Sequence, residues 1–248
     1  MAAATLGEAM ATILYPEKYF MSLILQIETA TTACSVALTL NGEILAVKEL
    51  NQRNVHAEVI TVFIEEIFAA AGKTYRDVDA VAVSSGPGSY TGLRIGVSTA
   101  KGLCYAMDKP LIAVETLQAM TDGMAATLTD ENLLLCPMID ARRMEVYTAL
   151  FDARGNRIKP TSAEIIDENS FADVLQHQKI LFFGDGAAKC EAVLGQYPNA
   201  TFDTGFVNSA SHLTKGALAA YQAQTFEDVA YFEPFYLKDF IAGKKAGV

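Results

Sequence analysis

The chain has 248 residues, of which 51% are hydrophobic and 19% charged, a composition typical of a globular protein with a sizeable core. Its formal charge of −10, from 29 acidic and 19 basic side chains, argues against direct, unaided binding of nucleic acid. No stretch approaches the length of an apolar membrane span. The cysteines lie far apart in apolar surroundings, which indicates free thiols in a reducing compartment and predicts a cytoplasmic protein. They are Cys34, Cys104, Cys136 and Cys190.

The first 20 residues lack the basic start and the long apolar core of a signal peptide. A β pattern, "SLILQIETA", begins directly after Met21. We therefore predict that residues 1–20 are a leader outside the folded core, and that folding does not need them.

From Leu23 onward the pattern predicts three strands, the last two joined by Asn41-Gly42. Asn-Gly is a strong signal for a two-residue hairpin, because both turn positions need a positive φ. A helix is predicted over 57–71, ended by Gly72, and "VDAVAVSS" then predicts a buried strand. The chain therefore opens with an antiparallel unit that passes into a helix and a further strand.

A helix over 91–107 is predicted next, then a strand "PLIAV" and a helix over 115–127. The second half predicts strands at "LLLCPMID", "MEVYTALF" and "KILFFGDG", and a late helix within 208–224. Antiparallel strands followed by alternating helices and strands predict mixed sheets with helical cover in two lobes. We place the lobes at 21–110 and 111–248, with the late helix packing back on the first lobe.

The glycine-rich stretch "SSGPGSYTGLRIGVSTAKG" spans residues 84–102 and resembles a phosphate-binding loop. A Walker loop needs a lysine after its last glycine, but Gly92 is followed by Leu93. The spacing is GxGxxxG rather than the GxGxxG of dinucleotide sites, and the GxSxG of a nucleophile elbow is absent. The stretch is therefore predicted to be a tight turn from a strand into a helix.

Small residues recur every four positions in this predicted helix, at Gly92, Gly96, Ala100 and Cys104. A glycine inside a helix costs about 1 kcal/mol relative to alanine, so a packing reason is expected. The four residues form one ridge along which another helix backbone can approach closely. That helix belongs either to this chain or to a different protein.

The helix "AEVITVFIEEIFAAA" carries apolar residues over an arc of about 180°, whereas one core-facing stripe needs about 100°. Two accounts stand: the helix packs on a sheet beside a neighbouring helix, or its second side meets an external partner. We predict a partner interface formed by this helix and the ridge. Its residues are Val59, Phe63, Ile67, Gly92, Gly96, Ala100 and Cys104.

The chain closely resembles the TsaB (YeaZ) family of bacterial tRNA threonylcarbamoyladenosine biosynthesis proteins over roughly residues 22 to 240. The string "GPGSYTGLRIG" followed downstream by "DARRMEVY" is the most specific part of the match. The other matching segments, in family order, are "ILQIETATTACSVAL", "RNVHAEVITVFIEEIF", "FFGDGAAK" and "EPFYLKDF".

This resemblance implies a two-lobed α/β fold of the actin, sugar-kinase and Hsp70 type (RNase H-like), with mixed sheets and a reduced second lobe. In that superfamily a turn of the pattern Asp-x-Gly-Thr after the first strand handles nucleotide phosphate. Here the matching stretch 28–32 reads "ETATT", and the Cβ of Ala30 hinders backbone approach to phosphate. The second-lobe turn Asp140-Ala141-Arg142 also lacks a glycine. The resemblance thus implies a vestigial nucleotide site with at most weak residual nucleotide binding and no other cofactor, formed by Glu28, Thr31, Thr32, Gly184 and Gly186.

The sister family TsaD binds iron or zinc through two histidines on the matching helix and a later aspartate. Only His56 stands at that place here, followed by Ala57 and Glu58. One histidine and one carboxylate are too few ligands for a tight metal site, so none is expected. The absence of HExxH also disfavours a metallopeptidase.

The resemblance implies a non-catalytic subunit that supports TsaD, which transfers a threonylcarbamoyl group from threonylcarbamoyl-AMP to the adenosine beside the tRNA anticodon. The small ATPase TsaE is implied as a second partner, tRNA is met through the complex, and self-association of the isolated chain is left open. Two alternatives remain. One is a phosphotransferase resembling sugar kinases, and the other is a free-standing homodimeric chaperone or protease-like factor.

Overall fold

The computed structural model describes residues 21–238, so the predicted leader of residues 1–20 lies outside the described part. The first lobe is built on a five-stranded sheet in the order β3-β2-β1-β4-β5. Strands β1, β2 and β3 are antiparallel neighbours, whereas β1, β4 and β5 run parallel. The strands are β1 (Leu23–Glu28), β2 (Ala33–Leu40), β3 (Glu43–Asn51), β4 (Ala80–Ser84) and β5 (Leu111–Val114).

Helices cover both faces of this first sheet. On one face α1 (His56–Ala71) and α2 (Tyr90–Met107) share a core with β1, β2 and β4. Helix α1 ends at Gly72, whose φ of +61° is left-handed and whose N–H caps the last turn. Asn41 and Gly42 also have positive φ, which confirms the predicted hairpin turn between β2 and β3.

The second lobe repeats the topology of the first. Its sheet has the order β10-β9-β6-β7-β8, which is the first order read from the other edge, with the same alternation of antiparallel and parallel pairs. The two-lobed α/β fold with mixed sheets is therefore confirmed. The elements are β6 (Leu134–Asp140), β7 (Glu145–Phe151), β8 (Arg157–Ile165), α4 (Ala172–Leu175), β9 (Ile180–Phe183), α5 (Ala187–Leu194) and β10 (Ala200–Asp203).

The predicted boundary between the lobes needs a correction. Because β5 is the fifth strand of the first sheet, the first lobe continues beyond residue 110. Helix α3 (Thr116–Ala125) then lies between the two sheets, with Ala119 in the core of the first and Met120 in the core of the second. The late helix, α6 (Thr214–Gln222), packs on the first sheet through Ala217.

The predicted ridge on α2 is an internal contact of the first lobe. Gly92, Gly96, Ala100 and Cys104 are all buried. A Cβ on either glycine would come closer than 3.0 Å to Thr29, which follows β1. A partner helix cannot lie along residues that β1 and its following turn already cover, so the predicted partner contact at this ridge is corrected to a contact within the chain.

The apolar residues of α1 fall into a buried group and a more exposed group. Phe63 and Ile67 are buried in the first-lobe core, so their predicted partner contact is also corrected to an internal one. Val59 is half-buried and Val62 is 48% exposed. The outer side of α1 therefore exposes Val62 as its one large apolar side chain, with the exposed Glu58, Glu65 and Glu66 beside it on the helix.

Two glycines of α2 provide a matched test of this packing. We expect Gly92→Ala to lower the free energy of unfolding by about 1 to 3 kcal/mol, because its methyl group would strike the Thr29 carbonyl oxygen, a backbone atom. Gly102 is exposed with open space around it, so Gly102→Ala should raise stability by up to about 1 kcal/mol. Urea unfolding of both variants measures the difference. Equal effects of the two substitutions would contradict the internal packing of the ridge.

Candidate functional site

The turn between β1 and β2, where the resemblance places nucleotide phosphate, is buried. Thr29, Ala30 and Thr31 are all inaccessible to solvent or nearly so. The Thr31 hydroxyl accepts a hydrogen bond from the backbone N–H of Ala33. Thr32 is half-buried and donates its hydroxyl hydrogen to the side chain of Asn51, 2.7 Å away. The predicted threonines therefore serve the turn and the adjoining strands.

The start of α2 closes this turn. The backbone N–H of Ser89 donates to the carbonyl oxygen of Ala30 at 2.6 Å. Gly88 packs against Ala30, while Gly92 and Gly96 pack against Thr29, in each case so closely that a Cβ would not fit. The hydroxyl of Thr29 is buried without a hydrogen-bond partner among the described residues.

Glu28 lies buried at the base of the closed turn. Its Oε1 accepts hydrogen bonds from the backbone N–H of Ala30 at 2.6 Å and from the hydroxyl of Ser84 at 3.1 Å. Burial raises the pKa of the Glu28 carboxyl to about 7, although these hydrogen bonds act in the opposite direction. A carboxyl group that still holds a proton about half of the time at pH 7 is a weaker ligand for a cation bound to phosphates than an ionised carboxylate.

The predicted second-lobe glycines do not meet Glu28. Gly184 has a φ of +100° and packs on the carbonyl of Met138, so the glycine is required by both its backbone conformation and its close contact. Gly186 packs on the backbone of Ile139. The atoms nearest to these two glycines belong to the second lobe and to α3, and none belongs to the β1–β2 turn. Glu28, Thr31 and Thr32 thus lie in the first lobe and Gly184 and Gly186 in the second, and a nucleotide site formed by all five stays a prediction.

The matching turn of the second lobe, between β6 and β7, is held by charged groups. The backbone N–H of Asp140 donates to Asp185, and the Asp140 carboxylate forms an ion pair with Lys189. Burial, together with the negative charge of Asp140, raises the pKa of Asp185. Arg142 and Arg143 follow with left-handed φ values of +72° and +49°. The sequence shows two adjacent arginines here, but no periodicity or spacing in it predicts their left-handed φ values.

His56 has a structural role at the start of α1. Its Nε2 lies 3.0 Å from the carbonyl oxygen of Thr31 and 3.2 Å from that of Ala33, so the Nε2–H ties α1 to the β1–β2 turn. Within residues 21–238, no three His, Cys, Asp or Glu side chains cluster as metal ligands would. No helix in that range is long and apolar enough to cross a membrane.

The end of the described chain crosses from one lobe to the other. The backbone N–H of Phe235 donates to the carbonyl of Ser85 at 2.7 Å, just before the glycine-rich turn. Three residues later Lys238 forms an ion pair with Glu145 at the start of β7. This segment therefore connects the closed turn of the first lobe with the β6–β7 turn of the second.

The buried carboxyl predicts a specific pH dependence of stability. Because the folded-state pKa of Glu28 lies near 7 and its ordinary value is 4.5, the native state keeps a proton that the unfolded chain releases. Glu28 therefore costs stability increasingly as the pH rises from about 4.5 to about 7. We expect the unfolding free energy of Glu28→Gln minus that of the wild type to increase by roughly 3 kcal/mol over this window, at 1.36 kcal/mol per pKa unit.

Urea unfolding of both proteins at a series of pH values measures this difference. The matched control is Glu43→Gln, which removes an exposed carboxylate from the β2–β3 hairpin and should give a small difference that hardly changes with pH. A flat difference for Glu28→Gln as well would contradict the burial of a raised-pKa carboxyl at this place.

Comparison with known proteins places this arrangement in a family. The family model described as "TsaD: tRNA N6-adenosine threonylcarbamoyltransferase" matches residues 43–244. The tRNA threonylcarbamoyladenosine biosynthesis protein TsaB of Haemophilus influenzae is 42% identical over 124 residues, which are 50% of this chain and 51% of that protein. The chain thus spans about half the length of that relative.

TsaB of Bacillus subtilis is 30% identical over 167 residues, which cover 65% of this chain and 70% of that protein. The solved structure of "an uncharacterized protein with similarity to peptidase YEAZ" from Pseudomonas aeruginosa has the same fold, with a TM-score of 0.76 at 24% identity, covering 88% of this chain and 100% of that one. These matches show that the chain belongs to the TsaB (YeaZ) family, within the wider group that the TsaD family model describes.

Proposed function

We propose that the chain is a non-catalytic subunit in the biosynthesis of tRNA threonylcarbamoyladenosine, supporting the transferase TsaD together with the ATPase TsaE in the cytoplasm. The observation that carries the non-catalytic part is the closure of the β1–β2 turn by the glycines of α2. The biosynthetic role is supported by the names of the TsaB relatives.

The closed turn offers few free backbone groups to a phosphate. A phosphate held by a backbone loop needs exposed N–H groups and a close approach that glycine permits. Here the N–H of Ala30 is bonded to Glu28 and its carbonyl to Ser89, so both backbone groups are already used. The residues that a superfamily ATPase offers to nucleotide are, in this chain, packed against its own helix.

Because the ridge on α2 is an internal contact, we place the proposed TsaD interface on the outer faces of α1 and α2. These helices lie side by side on one face of the first sheet. Their outer faces expose Val62, Gly102 and Tyr105, the last of which is 86% exposed. An exposed mid-helix glycine without an internal contact lowers helix stability, and close approach of a partner backbone accounts for its presence.

Reconstitution tests the proposed function. The purified chain alone is expected to release no phosphate from ATP with Mg²⁺ and to give no saturable heat of ATP binding. Mixed with TsaD and TsaE, it should co-elute with TsaD and be required for threonylcarbamoyl transfer to tRNA. ATP turnover by the chain alone that is lost in Thr31→Val would contradict a non-catalytic subunit, and full transfer without the chain would contradict its supporting role.

The interface has its own test. We expect Val62→Glu to weaken the complex with TsaD by at least about tenfold, because it replaces the one large exposed apolar side chain of α1 with a further carboxylate. The control is Ile158→Glu, at an exposed apolar residue of β8 in the other lobe, 56% exposed, which should leave the affinity unchanged. Calorimetric titration of TsaD measures both. Equal affinities of the two variants for TsaD would exclude the α1 surface.

A further inference from the structure

We propose that Arg142 and Arg143, at the β6–β7 turn, bind the phosphodiester backbone of RNA. This inference rests on the proposed function, since it assigns one contact with the tRNA that the complex would modify. The observation behind this proposal is a pair of adjacent, exposed arginines with an unfavourable backbone conformation, whose guanidinium groups form no ion pair and no hydrogen bond in the described structure.

Both arginines have left-handed φ values, which residues with a Cβ adopt only rarely and which glycine adopts freely. The turn is nevertheless firmly held. The Arg142 N–H donates to the Asp140 carboxylate at 2.8 Å, and the Arg142 carbonyl accepts from the N–H of Glu145 at 3.1 Å. The presence of arginine at two consecutive strained positions, where glycine would be unstrained, points to a function of the side chains rather than of the turn.

Arginines elsewhere in the described chain are mostly engaged. Arg154 pairs with Glu131 and Arg157 with Glu115, while Arg94 lies over the ring of Tyr90. By contrast, the guanidinium groups of Arg142 and Arg143 form no ion pair and no hydrogen bond within residues 21–238. Arg53 and Arg76 are also exposed and unpaired, but each stands alone in the first lobe.

Within residues 21–238, the carboxylates near the turn leave the two guanidinium groups available to an external anion. The nearby carboxylates of Asp140 and Glu145 are paired with Lys189 and Lys238. Two adjacent planar guanidinium groups can each bind a phosphate oxygen pair, as on successive phosphates of one strand.

The surroundings also favour RNA over an acidic protein segment. A protein interface needs an apolar centre around its charged contacts. Among the residues that pair beside this turn in β6, β7 and β8, Ile165 is the one large apolar side chain that is exposed in the described structure. One such residue supplies little apolar area.

The test measures binding of a transcribed tRNA to the complex of the chain with TsaD, by fluorescence anisotropy from about 50 to about 200 mM salt. We expect Arg142→Gly with Arg143→Gly to reduce the affinity at least about tenfold. The slope of log affinity against log salt should become shallower by about 1 to 2, because one or two phosphate contacts are lost. The same variant should melt a few degrees higher, since glycine relieves the backbone strain.

Two control variants separate charge from position. Arg53→Ala with Arg76→Ala removes the same charge from the first lobe and should leave the salt slope unchanged. Arg142→Lys with Arg143→Lys keeps the charge and should keep most of the slope. An unchanged slope in the double glycine variant would overturn the proposal, as would a loss of TsaD binding with unchanged tRNA binding, which would assign the arginines to a protein contact.

Failure of the proposed function is recognised separately. If the wild-type chain forms no complex with TsaD, the proposed function fails, and tRNA binding is then compared with the chain alone at about 50 mM salt. Weaker binding by the double glycine variant would support the arginine site even in that case. Equal binding, or no binding of tRNA by the wild type, would overturn it.

Discussion

The close contact between the glycines of α2 and the β1–β2 turn is the constraint on which the first lobe depends. With no Cβ at Gly88, Gly92 and Gly96, the helix lies directly on Thr29 and Ala30. That approach seals the turn, buries Glu28 beneath it and uses the turn's backbone groups for internal hydrogen bonds. The packing that completes the core of the first lobe therefore also closes this turn.

The corresponding turns of the two lobes differ in packing and exposure. Both sheets have the same strand order, so the β1–β2 and β6–β7 turns occupy corresponding positions. The first is closed by glycines and has a buried carboxyl, whereas the second is open and presents Arg142 and Arg143. The segment from Phe235 to Lys238 joins the two. Two lobes of the same strand order thus have one turn that packs in the core and one that faces solvent.

Residues that determine the local backbone predict much of this structure, whereas contacts between distant parts of the chain could not be predicted from the sequence. Gly72 and Asn41-Gly42 mark their turns because one or two residues determine the backbone there. The sequence does not predict the edge strands β8 and β10, because β8 is mainly exposed without an alternating apolar face and β10 lacks the apolar run that marks the equally short β5 and β9. The four-residue spacing of Gly92 and Gly96 predicts a close contact but not its partner, since Thr29 lies more than 60 residues earlier in the chain.

Amide hydrogen exchange of the β1–β2 turn tests the closed site most directly. If the turn is sealed by α2, the N–H groups of Ala30 and Ser89 should exchange as slowly as those in the centre of β1, through global unfolding alone. Added ATP should not change their rates. Exchange of these two amides as fast as that of an exposed loop, slowed when ATP is added, would show that the turn opens to nucleotide and would contradict the account.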